Sequence, residues 1–139
     1  MPPLWKLDRT TPSLSVPFAP ARHEVVIVGA GITGLSTGLM LAALGQDVAI
    51  VEAGEIAELA TGSNTGKVSL LQGSTLSTLR RHHPASLVRA YVDANRAGAE
   101  WLTEFAESAG VPMTTRTAFS YTPSRSGVEA VEAEIEAGR

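Results

Sequence analysis

Apolar and polar positions fall in blocks along the chain, and the length and spacing of each block predict an element. Val25, Val26, Ile27 and Val28 form an apolar run rich in β-branched residues. It is too short for a helix and so predicts a buried strand. Ile32, Leu35, Leu39, Met40, Leu41 and Leu44 then recur with small residues between them. That spacing predicts a helix over about 32–44, apolar on most faces and expecting cover on more than one side. Gly45 stands where a helix stop is wanted, and a second β run, Val48 to Val51, ends in Glu52.

From Ala53 to Gly73 the chain is polar and glycine-rich, interrupted by the short apolar run Val68 to Leu71. Turn residues of this kind predict a loop. Ser74 or Thr75 is placed to cap a short helix ending near His82, and Pro84 suits the first position of a longer one reaching about Ser108. In that longer helix Leu87, Tyr91, Ala94, Gly98, Trp101, Leu102 and Phe105 lie near one stripe, while Arg89, Asp93, Arg96, Glu100, Glu104 and Glu107 make a polar side. Such a stripe predicts core packing rather than cofactor contact. Gly110 and Pro112 end the helix. Phe119 and Tyr121 alternate with Ser120, so Thr114 to Thr122 predicts a strand; Pro123 to Gly127 turns the chain into an acidic helix, Val128 to Ala137. Residues 1–22, with prolines at 2, 3, 12, 17 and 20, read as an extended arm that Trp5, Leu7 and Phe18 anchor, or as a disordered leader.

The chemistry concentrates between the first two β runs. Gly29, Gly31 and Gly34 have the spacing G-x-G-x-x-G directly after a strand and at the start of a helix. The first glycine permits the tight turn, the second lets backbone approach a diphosphate, and the third lets the helix pack on the sheet. The free N–H groups and positive dipole end of the helix complete an anion site without a lysine. Glu52 follows Gly34 by 18 residues, where a carboxylate accepts hydrogen bonds from ribose hydroxyls and repels a 2′-phosphate. Gly29, Ala30, Gly31, Ile32, Thr33, Gly34, Glu52 and Ala53 are therefore the candidate nucleotide-binding residues. An NAD-binding dehydrogenase would need the same glycines and acid.

The full frame adds Gly38, Gly45 and Val48 to these positions and resembles the FAD-binding signature of two-domain flavoproteins. The segment ATGSNTGKVSLLQG, Ala60 to Gly73, is similar to the D-amino-acid oxidase and glycine oxidase superfamily of FAD-dependent oxidoreductases. Thr61, Gly62, Lys67, Val68 and Ser69 match the branch whose members often carry a C-terminal Rieske domain, and the opening Pro3 to Thr10 is similar too. The resemblance implies an α/β, Rossmann-like FAD/NAD(P)-binding fold, incomplete here, over 23–139, with 110–139 beginning the substrate domain. It implies FAD as cofactor, with Thr61, Thr65, Gly66 and Lys67 reaching it from the loop and Lys67 stabilising reduced flavin. It also implies an amine or amino-acid substrate in full-length relatives, and a missing C-terminal part or a complementary chain. The alternative is a truncated, non-catalytic nucleotide-binding fragment. Glu58 and Leu59 depart from the family's usual loop.

Composition narrows the partners. The chain has 139 residues, 44% hydrophobic, one domain's worth of packable sequence. Its net charge of −3 and lack of a basic cluster beyond Arg80 and Arg81 argue against nucleic acid. Without cysteine it holds no disulfide, cysteine-bound zinc or iron–sulfur centre of its own. No apolar run approaches the roughly 18 residues of a membrane span, so a soluble, cytoplasmic protein is expected. His82 and His83 are adjacent, and neighbours on a helix diverge by about 100°, which does not favour a shared metal. Arg116 suits a substrate carboxylate by its guanidinium fork, but a surface arginine is the better reading.

Overall fold

Parallel pairing of the two β-branched runs organises the first part of the molecule. In the computed structural model, which describes residues 16–17 and 20–139, β1 (Val25–Val28) lies beside β2 (Val48–Val51) in the register Val25 to Val48 through Val28 to Val51. Parallel neighbours need a crossover, and α1 (Ile32–Ala43) supplies it. Gly45, at φ +83°, ends the helix in the left-handed region. The reading of residues 1–22 as an arm, including its anchors Trp5, Leu7 and Phe18, lies outside the described residues except at 16, 17 and 20–22.

The chain divides into two compact units, residues up to Lys67 and Val68–Arg139. In the first, α1 packs through Gly38, whose missing Cβ leaves room for the Ile50 and Ile27 side chains. On β1 the two faces differ in cover. Val25 and Ile27 are half-buried, whereas Val26 and Val28 are 55% and 86% exposed. The expectation of a buried strand is thus corrected for β1: side chains alternate between faces, and Val26 and Val28 stay exposed although Ala49 and Val51 beside them on β2 are half-buried. The same holds for α1, where Ile32, Leu39 and Met40, with Leu44 just past its end, remain exposed against the expectation of cover on more than one side. A helical turn, α2 (Ala60–Ser63), interrupts the predicted loop.

The second unit comprises α3 (Thr75–His82), α4 (Ala85–Ser108), a 3-10 turn at Arg125–Gly127 and α5 (Val128–Ala137). Pro84 stands one place before α4 rather than inside it. The buried residue of α4 is Val88, and the covered face continues through Tyr91, Val92, Asn95, Ala99, Leu102 and Ala106. That face is turned about one residue from the predicted stripe, because Leu87, Ala94, Gly98 and Phe105 are exposed while Asn95 is drawn inward. Asn95 accepts from Gln72 Nε2 at 3.0 Å, and Tyr91 donates its hydroxyl to Gln72 Oε1. Trp101 and Phe105 stack with ring centroids 5.5 Å apart.

Neither Ser74 nor Thr75 caps α3 with its side chain. Glu134 of α5 does so instead, accepting from the N–H groups of Leu76 and Ser77 at 2.8 Å each. The predicted strand at Thr114 to Thr122 is also corrected. The segment forms no ladder, and Phe119 and Tyr121 are about four-fifths exposed. A strand is held by a neighbour's N–H and C=O groups, and no such neighbour lies among the described residues. No helix among them is long and apolar enough to cross a membrane.

Candidate functional site

The end of β1 and the start of α1 meet at a turn that only glycine allows. Gly29 adopts φ +103°, a conformation that L side chains rarely take, and its N–H donates to Val51 O at 2.8 Å. Gly34 lies so close to this turn that a Cβ would stand 2.0 Å from the Gly29 carbonyl oxygen. The first intrahelical bond runs from Leu35 N–H to Gly31 O. Earlier N–H groups therefore have no partner inside the helix.

Two of these donors are taken from outside. Ala30 N–H donates to Glu52 Oε2 at 2.8 Å, and Ile32 N–H donates to Thr61 Oγ1 at 2.8 Å. Among the described residues, the N–H groups of Gly31, Thr33 and Gly34 have no hydrogen-bond acceptor. Three open donors at the positive end of a helix form a cradle for an anion.

Glu52 is oriented rather than merely nearby. Its second oxygen accepts from Gly54 N–H at 2.9 Å, so backbone holds both ends of the carboxylate. The Ala30 N–H foremost, then Gly54, keep its pKa below the usual 4.5; slight desolvation works against them and the Ala53 N–H adds to them. The group is ionised, and each oxygen keeps a lone pair for a hydroxyl donor. Open N–H donors on the turn and an ionised acceptor reaching it from the end of β2 thus lie side by side, a set of groups that fits the diphosphate and ribose of a dinucleotide.

Of the residues singled out from the sequence, Gly29, Ala30, Gly31, Ile32, Thr33, Gly34, Glu52, Ala53 and Thr61 come together here. Among the described residues no hydrogen bond joins Thr65, Gly66 or Lys67 to the turn. Their loop is held by Asn64, which donates to Thr61 O at 2.8 Å and accepts from Gly66 N–H at 2.7 Å while Gly66 takes φ +64°. Asn before a glycine-bearing turn is a readable signal for such a role. Ala57 carries none. It adopts φ +59° so that its N–H reaches Ala30 O at 3.0 Å, tying the segment after β2 to the glycine turn. Ala30, 3% exposed, is consequently satisfied at both its N–H and its carbonyl. Among the described residues no group of three His, Cys, Asp or Glu side chains is placed to hold a metal.

Residues 24–139 match the family model described as FAD dependent oxidoreductase. Over 135 residues the chain is 25% identical to YhfW of Bacillus subtilis (strain 168), which carries a Rieske 2Fe-2S iron-sulfur name. That similarity takes in 96% of this chain and 26% of the relative, so the chain spans about a quarter of the relative's length. No solved structure matches the chain significantly.

Proposed function

We propose, from the premise that the chain belongs to the FAD-dependent oxidoreductase family, that it is the FAD-binding part of an oxidoreductase acting on amines or amino acids. The observation that carries this reading is the pairing of three acceptor-free N–H groups at the α1 N-terminus with a carboxylate clamped by Ala30 and Gly54. In this reading Gly31, Thr33 and Gly34 bind the diphosphate through backbone, and Glu52 accepts from the adenosine ribose. The loop through Thr65, Gly66 and Lys67 lies on the flavin side. When bound, the flavin accepts hydride from a C–H next to nitrogen. The chain's own part is to bind and orient the nucleotide.

The exposed second face of β1, at Val26 and Val28, supports a larger Rossmann-like sheet in which further strands and helices cover it. The Rieske name of YhfW supports a whole protein with a second redox centre, held outside this cysteine-free chain. That same open face also favours a second reading, nucleotide binding without turnover by this chain alone. Titration with FAD and with NAD, followed by flavin fluorescence and calorimetry, tests both readings. Saturable binding of FAD in preference to NAD is expected, and amine-dependent flavin reduction separates the first reading from the second. Preference for NAD, or no binding of either, overturns the proposal.

A further inference from the structure

We propose that Thr61 is a latch on the diphosphate cradle: with no nucleotide bound, its hydroxyl occupies the Ile32 N–H, and it is displaced when the diphosphate seats. This rests on the diphosphate reading given above. Ile32 is the first residue of α1, so its N–H has no intrahelical acceptor and is a natural ligand donor. Thr61 comes from 29 residues further on and accepts from it at 2.8 Å. The bond is therefore tertiary, not part of a local turn.

The hydroxyl also stands beside Gly31. A Cβ at Gly31 would lie 3.4 Å from Thr61 Oγ1, so the oxygen stands over the stretch that glycine leaves bare. A phosphate oxygen at hydrogen-bonding distance from Ile32 N–H would need the place that Oγ1 fills, and the two acceptors exclude one another. The neighbouring bonds of Asn64, to Thr61 O and from Gly66 N–H, stay within the loop and move with it. Opening the latch gives up one neutral hydrogen bond, while the ligand gains an N–H at the helix end where negative charge is favoured.

The test is ADP binding by calorimetry to the whole chain and to T61V and T61S, with the Ile32 amide signal followed by NMR. Removing the competing acceptor while keeping the side-chain shape should tighten ADP binding by about two- to tenfold. T61S, which keeps a hydroxyl, should bind as the wild type does. In the unliganded wild type and T61S the Ile32 amide should carry the downfield signature of a hydrogen bond, absent from unliganded T61V. Equal or weaker ADP binding by T61V overturns the latch alone, since the site would then be intact with Thr61 a bystander or a direct contact. Failure of all three proteins to bind ADP overturns the diphosphate reading and the latch with it.

Discussion

Replacing glycine by alanine at three helical positions should give three different outcomes, and the structure sets their order. Alanine in a helix interior is favoured over glycine by about 1 kcal/mol in each case. At Gly98 nothing lies within 4 Å of the new methyl, so G98A should stabilise α4 by close to that amount. At Gly38 the methyl meets Ile50 Cδ1 at 2.8 Å, the tip of a side chain that can turn aside for about 1 kcal/mol. G38A should be near neutral. At Gly34 it would stand 2.0 Å from Gly29 O and 3.2 Å from Gly29 C, both backbone atoms of the glycine turn. Carbon–oxygen contacts are comfortable only beyond about 3.3 Å, so α1 must lift by about 1 Å from the turn. Overpacking of this kind costs roughly 1–3 kcal/mol, and rigid backbone puts the site at the upper end. Net of the helix preference, G34A should lose about 2 kcal/mol, on the order of 10 °C in Tm for a unit of this size. Urea and thermal unfolding read through amide signals of α1 and α4 measure each effect locally. G34A unfolding at or above the wild-type midpoint would refute the close approach of α1 to the β1 turn.

E52Q removes the ionised acceptor and leaves the Ala30 N–H facing an uncharged amide; FAD and ADP affinity should fall by about ten- to hundredfold in calorimetry, a range typical of hydrogen bonds to charged groups. Because the Glu52 pKa lies below 4.5 in the folded chain, its grip should be complete above that value and fade as pH falls through the depressed one. E134A uncaps α3 and should cost about 1 kcal/mol at neutral pH in urea unfolding. Burial tends to raise the Glu134 pKa, but the Ser77 and Leu76 N–H groups and the Ser77 hydroxyl outweigh it, so the net shift is downward. The stabilisation is then full above 4.5 and lost as pH drops through the folded value, and the E134A difference should vanish in acid. A difference unchanged by pH would mean that Glu134 acts by packing alone.

Several elements are legible from local pattern: the two β runs, the helix between them, the stop at Gly45 and the helices at 75–82, 85–108 and 128–137 agree with the structure to within a residue or two. Hydrophobic period, glycine placement and proline act over a few residues, and that is the range on which these elements are decided. The glycine turn belongs to the same class, since a left-handed Gly29 and a Cβ-free Gly34 follow from what their neighbours require. Partners distant in sequence were decided only by tertiary structure. No spacing rule identifies Thr61 as the acceptor for Ile32, Ala57 as the donor to Ala30, or Glu134 as the cap of a helix more than fifty residues earlier. The rotation of α4 that buries Val88 and draws Asn95 inward, and the absence of a ladder at 114–122, arise likewise from which neighbours are present. Backbone preference is a property of each residue and its nearest companions, so the chain carries it along its length. A hydrogen bond or a buried face needs two surfaces to arrive at the same place, and only the folded arrangement determines that.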